Sequence, residues 1–170
     1  GIFYAGATSG GRDNVIQFIN VSTTGDATDF GDATGSCFTA GGCASRTRGV
    51  FHQSENIFTE LDFVTIASTG DATDFGDVTS SNNGSMASNP TRAIDFIGGA
   101  VTIESITIAQ TGNSIDFGDK NYTASGTASC QSPTRAIVAG GYGPSPFPQF
   151  DTIEYVTIST ASNSADFGNL

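Results

Sequence analysis

A nine-residue string that occurs twice in the chain constrains its fold more than any other feature. The string TGDATDFGD covers Thr24–Asp32 and Thr69–Asp77, and weaker copies cover Thr111–Asp119 and Ala161–Asn169. A string that returns at a fixed interval is typical of architectures in which each copy belongs to one supersecondary unit stacked on its neighbours. The repeat therefore predicts an array of similar units.

Two markers define the length of the unit. Asp-Phe-Gly begins at Asp29, Asp74, Asp116 and Asp166, and a Thr-Arg pair ends at Arg48, Arg92 and Arg135. The markers advance together by about 44 residues, which divides a single repeat domain, 1–170, into repeats 1–48, 49–92, 93–135 and 136–170. The last repeat lacks Thr-Arg, and the chain opens in mid-pattern, so we expect a segment of a longer polypeptide.

Each repeat carries four candidate strands. The strongest in each are β-branched and aromatic runs of strand length, at 15–21, 61–66, 103–108 and 153–158. The fourth candidate strand is 36–40 in the first repeat. Thr-Gly-Asp or Thr-Gly-Asn follows the second strand and predicts a tight hairpin, hence antiparallel pairing. Four antiparallel strands in about 44 residues predict an all-β fold, a β-propeller or propeller-like array of four-stranded blades.

Composition excludes several classes of partner. The chain carries 6 basic and 17 acidic residues, for a net charge of −11. Binding to nucleic acid requires clustered lysines and arginines, which the sequence lacks, so we expect no nucleic-acid partner. No apolar run reaches the roughly 18 residues that span a bilayer, so we expect no membrane insertion.

The cysteines and the single histidine give weak functional signals. Cys43 and Cys130 occupy the same repeat position, which argues against a bond between them, whereas Cys37 and Cys43 could pair within one hairpin. We favour three buried thiols. His52 has no second histidine and no paired nucleophile, so we interpret it as an ordinary strand residue.

The conserved spacing of Asp-Phe-Gly within the chain indicates structure rather than kinase chemistry, because no strand lysine or His-Arg-Asp accompanies it. We expect the phenylalanine of each copy to fill the gap between neighbouring sheets. These residues are Phe30, Phe75, Phe117 and Phe167. We also predict ion pairs between the repeated arginines and the repeated aspartates at strand ends, with an anion-binding ring of arginines as the alternative. The two sets are Arg48, Arg92 and Arg135, and Asp29, Asp74 and Asp116.

Aspartates spaced by three give a weak calcium signal. They are Asp26, Asp29, Asp32, Asp71, Asp74 and Asp77. Calcium takes oxygen ligands, but this spacing does not match the EF-hand. We therefore prefer turn capping, and we expect no cofactor, with calcium as the alternative.

The loop at 142–150 stands apart from the other repeats. It reads Tyr-Gly-Pro-Ser-Pro-Phe-Pro-Gln-Phe, and its prolines stiffen a segment that presents Tyr142, Phe147 and Phe150. Aromatic rings on a rigid polar surface suit sugar stacking or protein contact. The alternative is that the rings pack onto the edge of the sheet.

The combined strings resemble a known family. The diglycines Gly98-Gly99 and Gly140-Gly141 resemble those of kelch-type propellers. Thr47–Phe51, Ile153–Ile158 and the Asp-Phe-Gly-Asp strings resemble strings that a group of kelch-like proteins carries in tandem. The chain is similar to the kelch-like tandem-repeat proteins of marine bacteriophages. The resemblance implies a virion, tail-associated or cell-surface structural protein, located in the virion or outside the cell, with other virion or appendage subunits as partners.

Three functions remain in view. The first is a non-enzymatic structural or adhesive component of a phage particle or extracellular appendage that binds a receptor or surface, with homo-oligomers allowed. The second is a lectin-like carbohydrate-binding propeller that recognises host surface glycans. The third is a propeller glycosidase or lyase, which needs paired carboxylates; its candidates are Glu55, Glu60, Glu104 and Glu154. Glu104 and Glu154 share one repeat position, which favours architecture, and we predict that the chain is not an enzyme.

Overall fold

The computed structural model describes residues 1–37, 40–53, 59–80 and 83–170 and contains fifteen β-strands there, with no helix. The strands are β1 Ile2–Thr8, β2 Gly11–Phe18, β3 Thr28–Cys37, β4 Ala40–Ala44, β5 Arg48–Gln53, β6 Glu60–Thr65, β7 Thr73–Asp77, β8 Ser85–Ser88, β9 Arg92–Phe96, β10 Thr102–Thr107, β11 Ile115–Asp119, β12 Ala128–Gln131, β13 Arg135–Ala139, β14 Thr152–Thr157 and β15 Ala165–Asn169. The all-β prediction is confirmed.

The strands form four antiparallel sheets that follow the chain order. Sheet 1 has the order β1-β2-β3, sheet 2 β4-β5-β6-β7, sheet 3 β8-β9-β10-β11 and sheet 4 β12-β13-β14-β15. Every described strand pair is antiparallel, as the sequence predicts. The first strands of neighbouring sheets lie side by side, β4 beside β8 and β8 beside β12. The three boundaries between consecutive sheets are called seams below.

Each four-stranded sheet combines parts of two sequence repeats. Its first strand precedes a Thr-Arg pair, and its other three strands follow that pair; in sheet 2, β4 lies before Arg48 and β5 begins at it. The candidate strand 36–40 includes residues 38 and 39, which lie outside the described residues, and β3 ends at Cys37 while β4 begins at Ala40. The sheets are therefore offset from the sequence repeats by one strand, and the chain links neighbouring repeats through shared sheets.

The predicted hairpin after the second strand forms, because β6 and β7 are paired antiparallel strands, but its turn is not tight. In sheet 2, β6 ends at Thr65 and β7 begins at Thr73, so residues 66–72 connect the strands. Two residues of this connection donate backbone hydrogen bonds to β3 of sheet 1, Gly70 N to Phe30 O at 2.7 Å and Ala72 N to Asp32 O at 2.7 Å. The connection is longer than a tight turn because the Thr-Gly-Asp string closes the hairpin and also reaches across the seam.

The glycine of Asp-Phe-Gly lies at a β-bulge in every sheet. The strand register shifts beside Gly31, Gly76, Gly118 and Gly168, and their φ angles are +146°, +139°, +147° and +143°. Residues that carry a side chain rarely adopt such φ angles, so a bulge at this point requires glycine. The bulge explains why glycine follows phenylalanine in all four copies.

Three apolar clusters fill the three seams, one cluster to each. Phe30, Phe75 and Phe117 lie in the first, second and third seam, at 6%, 2% and 3% exposure, whereas Phe167 in sheet 4 is 52% exposed. The strands on both sides contribute branched side chains; in the second seam these include Leu61 and Ile106. The phenylalanine of one sheet thus packs against the next sheet wherever a next sheet is present.

The three thiols differ in their surroundings. Cys37 is buried, Cys43 is partly buried and Cys130 is exposed, and none is in a disulfide. The prediction of three buried thiols is wrong for Cys130, because it lies on β12, which no later sheet covers. Burial, with the nearby charge of Asp95, raises the pKa of Cys43 to about 12. No helix long and apolar enough to cross a bilayer occurs in the described ranges.

Candidate functional site

Side chains of the Thr-Gly-Asp/Asn string fasten each sheet to the one before it. At the first seam, Asp71 Oδ1 accepts a hydrogen bond from Asp32 N at 3.0 Å, beside the backbone bonds of Gly70 and Ala72. The same side-chain contact recurs with Asn113 accepting from Asp77 N at 3.1 Å and with Asn163 accepting from Asp119 N at 3.0 Å. Asparagine replaces aspartate without loss because only a carbonyl-type oxygen is needed.

Two of the aspartates considered for calcium, Asp71 and Asp74, accept local backbone hydrogen bonds. Asp71 caps the backbone of the preceding sheet, and Asp74 Oδ1 accepts from Gly76 N at 3.0 Å within its own bulge. Asp29 lies exposed on β3, and Asp26 lies exposed in the connection before that strand. Within the described part of the chain, no group of three or more His, Cys, Asp or Glu side chains is placed to hold a metal ion. The contacts favour capping.

Buried carboxylates form a second tie across every seam. Asp62, on β6 of sheet 2, is fully buried and accepts from Thr34 of sheet 1, with Thr34 N at 2.9 Å and Thr34 Oγ1 at 2.7 Å from its oxygens. Gln53 Nε2 donates to it at 3.1 Å, and Tyr4 donates its hydroxyl. Burial, and then the bond to Asp62, raises the pKa of Tyr4. These donors compensate the cost of burying a carboxylate.

The same repeat position carries Glu104 in sheet 3 and Glu154 in sheet 4, both buried. Glu104 accepts from Thr79 N at 3.2 Å, and Glu154 accepts from Asn121 N at 3.1 Å and from Ser164 Oγ at 2.6 Å. Each glutamate is thereby bound to the sheet before its own. Of the other two enzyme candidates, Glu60 is exposed on β6 and Glu55 lies outside the described residues.

The predicted Arg–Asp pairs are wrong for Arg48 and Arg92. Arg48 Nη1 donates to the backbone oxygen of Ile108 in the next sheet at 3.2 Å, and Arg92 Nη1 donates to that of Ile158 at 3.0 Å. The Arg48 guanidinium lies 4.4 Å from the centre of the Phe63 ring. A guanidinium over an aromatic face is stabilised by the ring quadrupole. These two arginines therefore bind backbone oxygens across the seam.

Arg135 in sheet 4 keeps only part of this arrangement. Its guanidinium lies 4.4 Å from the centre of the Tyr155 ring, as Arg48 lies over Phe63. Its side chain is exposed, whereas Arg48 and Arg92 are partly buried. Within the described residues, no later sheet supplies a backbone acceptor.

Three further polar side chains are buried, namely His52, Asp95 and Lys120. His52 Nδ1 of sheet 2 lies 2.7 Å from Asp95 Oδ2 of sheet 3, and both residues are buried. Lys120 is also buried and donates from Nζ to Ile97 O at 2.7 Å. Burial lowers the pKa of Lys120 to about 8, although the charges of Asp95 and Glu154 act in the opposite direction. His52 is thus part of a buried ionisable pair across a seam.

The three rings of the aromatic loop at 142–150 differ in their exposure. Tyr142 and Phe147 are exposed and form an edge-to-face pair with ring centres 6.2 Å apart. Phe150 is partly buried and packs on Tyr122, with ring centres 5.0 Å apart. The packing alternative therefore describes Phe150, while Tyr142 and Phe147 remain on the surface.

Backbone hydrogen bonds hold the loop in place. Gly143 N donates to Pro148 O at 2.8 Å, and Phe147 N donates to Pro144 O at 2.9 Å. Tyr142 pairs with Ser125 in both directions, with Tyr142 N to Ser125 O at 3.0 Å and Ser125 N to Tyr142 O at 2.9 Å. Phe147 has a φ of +62°, a conformation uncommon for a bulky side chain. The ring of Phe147 is thereby presented on a backbone fixed at both ends.

A cavity of about 340 Å³ opens beside the exposed ring pair. Its wall combines the two rings with small and polar residues, namely Asn83, Gly99, Thr123, Ala124, Ser125, Gly143 and Pro144. The volume is at the small end of the roughly 300–1,000 Å³ of small-molecule sites. Rings beside hydroxyl and amide groups suit a ligand with an apolar face and polar edges.

The comparisons with known proteins assign neither a family nor a function to this chain. Neither the protein-family models nor the curated proteins that were searched gave a match to this chain.

Sequence reasoning missed the most buried polar contacts. Asp62, Glu104 and Glu154 recur at one repeat position, and that recurrence was the available signal for a seam tie. Their partners Thr34, Thr79 and Asn121 recur as well, each two residues after the last residue of the Asp-Phe-Gly-Asp string. His52 and Asp95 offered no such signal, because each occurs once at its repeat position.

Proposed function

We propose that the chain is a non-enzymatic structural and adhesive component of a phage particle or an extracellular appendage, built as a propeller-like array of kelch-like repeats. One observation carries the proposal. The repeated polar residues are occupied in ties between consecutive sheets, and the same ties recur at three seams. An array whose repeated polar residues hold consecutive sheets together at the seams is suited to presenting its surface to a partner.

The buried carboxylates argue against the glycosidase alternative. A glycosidase needs two carboxyl groups that flank one substrate bond. Glu104 and Glu154 are each bound at a different seam, Glu104 to Thr79 and Glu154 to Asn121, and both are buried. Their surroundings support a structural role.

The location of the protein tests this proposal. We expect antibodies against the 170-residue chain to detect it in purified particles or surface filaments of the source organism, because partners in such assemblies would hold it there. Fractionation followed by immunoblotting and immunogold microscopy measures this. A cytosolic marker protein, followed in the same fractions, controls for contamination. Recovery solely in the soluble cytosolic fraction would contradict the proposal.

A carbohydrate site is the second candidate function, and the exposed pair of Tyr142 and Phe147 beside a polar cavity favours it. We propose that a glycan ring stacks on Phe147 and that its hydroxyls contact the groups around Ser125. Stacking on an aromatic face combines apolar burial with a preferred geometry.

We expect Phe147→Ala to weaken glycan binding roughly tenfold or more, since it removes the most exposed ring of the pair. Array screening, followed by titration of the best glycan, measures the loss. Ile115→Ala is the matched control because Ile115 is a similarly exposed apolar residue of another sheet, at 65% against 63% for Phe147. Equal binding by wild type and Phe147→Ala, or no binding of any glycan by the wild type, would contradict this candidate.

A further inference from the structure

The two outermost sheets expose the two halves of a seam. At a seam, the earlier sheet contributes what we call its trailing face, with an arginine, a phenylalanine and the bulge glycine. The later sheet contributes its leading face, with the Gly-Asp/Asn string and the backbone oxygen that accepts from the arginine. Among the described sheets, none covers the trailing face of sheet 4 or the leading face of sheet 1.

The trailing face of sheet 4 keeps the groups that bind a following sheet. Phe167 is 52% exposed although its counterpart Phe75 is 2% exposed, and both make the same edge-to-face contact within their own sheets. A Cβ built on Gly168 meets no atom within 4 Å, whereas one on Gly76 meets the Gly112 backbone at 2.5 Å. Arg135 is exposed over Tyr155. The trailing face of sheet 4 therefore carries the groups of an internal seam without a described sheet packed against them.

The leading face of sheet 1 carries the complementary groups. Phe3 is 56% exposed, but Phe51, at the same position of sheet 2, is 9% exposed and stacks on Tyr4 of the preceding sheet. Val21 is 78% exposed, and Ile158 at its position in sheet 4 is fully buried and provides the oxygen that Arg92 binds. The Thr24–Asp32 string supplies the same nine residues as Thr69–Asp77, which cross the first seam.

We propose that the chain associates head to tail with a second copy of itself, the trailing face of sheet 4 receiving the leading face of sheet 1. The contacts are those of an internal seam. Gly25 and Asp26 of the second copy lie against Phe167–Asn169, and Arg135 donates to the backbone oxygen of the second copy's Val21. Phe3 and Phe167 are covered in the process.

Such an interface is heterologous, because two different surfaces meet. Head-to-tail contacts close into rings when the rotation between copies permits closure and otherwise grow into open filaments. In a ring or a filament, each copy binds one neighbour through its leading face and another through its trailing face. A substitution on one face therefore leaves the other face able to bind. This property gives a sharp test.

Sedimentation of the 170-residue chain over a range of concentrations is the first measurement. We expect the mass to rise above the 17.4 kDa of one chain as the concentration increases. Phe167→Glu and Phe3→Glu should each weaken association roughly tenfold or more, because each introduces a charge into the centre of the apolar contact. Ile115→Glu is the matched control, since Ile115 is 65% exposed on sheet 3, which has neighbours on both sides.

Mixing the two variants is the decisive measurement. Phe167→Glu keeps an intact leading face and Phe3→Glu keeps an intact trailing face, so the mixture should form one-to-one dimers that grow no further. Circular dichroism of each variant establishes that it is folded. A wild type that stays monomeric at every concentration, including one that closes on its own first sheet, overturns the proposal. A mixture that does not dimerise, or an Ile115→Glu variant that weakens association equally, also overturns it.

Discussion

Gly76→Ala should destabilise the protein by roughly 3–5 kcal/mol, a large effect for the addition of one methyl group. Gly76 has a φ of +139°, and a Cβ there would lie 2.5 Å from the carbonyl carbon and oxygen of Gly112 and 2.8 Å from Asn113 N. All three atoms are backbone atoms of the connection that crosses the second seam, so no side chain can move aside. Urea denaturation followed by circular dichroism measures the free energy of unfolding.

Gly168→Ala separates the two causes of this loss. Gly168 has a φ of +143° at the same bulge position of sheet 4, but a Cβ there meets no atom within 4 Å. Its substitution should cost only the backbone strain, roughly 1–3 kcal/mol. The difference between the two variants is the cost of forcing the seam apart. Equal losses would show that sheets 2 and 3 do not approach as closely as the structure has them.

Phe75→Ala should destabilise the protein by roughly 3–5 kcal/mol, as is usual when a large buried ring is removed from a core. Phe75 is 2% exposed in the second seam, where it packs with Leu61, Val78 and Ile106. Leu61 and Ile106 lie on strands paired to their neighbours, so the cavity cannot collapse easily. The same urea titration measures the loss, and a thermal melt gives an independent estimate.

Phe167→Ala is the control for this prediction because the local aromatic contact is nearly identical. Phe75 meets Phe63 with ring centres 6.1 Å apart at 80°, and Phe167 meets Tyr155 with ring centres 6.0 Å apart at 80°. Phe167→Ala in dilute solution should therefore cost only about 0.5–1.5 kcal/mol, the worth of an edge-to-face pair. If both variants lose the same stability, the burial of Phe75 between sheets contributes nothing.

The sequence predicts those features of this protein that depend on local pattern. The strand-length runs 103–108 and 153–158 coincide with β10 and β14 to within one residue at each end, and the all-β antiparallel character follows from such runs. Local propensity and turn residues are sufficient for these assignments.

The choice of long-range partners could not be predicted in the same way. Arg48 has two kinds of acceptor within the repeat, a carboxylate and a backbone oxygen, and composition does not say which of them faces it across the seam. The Thr-Gly-Asp string has turn chemistry, but Gly70 and Ala72 donate to the preceding sheet, which requires a longer connection. Both errors arise because a periodic sequence reveals the unit without revealing the contact between units.

Tertiary structure also decides which rings of the aromatic loop are exposed and which are packed. Tyr142, Phe147 and Phe150 are equivalent by sequence, since all three are rings in a proline-rich segment. Tyr122 lies in a different repeat and covers Phe150, which leaves the other two rings at the surface. Only the position of Tyr122 distinguishes them.

The strand offset between sheets and repeats has a consequence for how such genes lengthen. Because β4, β8 and β12 each begin a sheet that the following repeat completes, the fold has no privileged starting point within the period. Unequal crossing-over at any codon, provided that it copies one whole period, yields a chain in which every strand still finds its neighbours. Recombination in register, rather than at domain borders, is sufficient to extend this architecture.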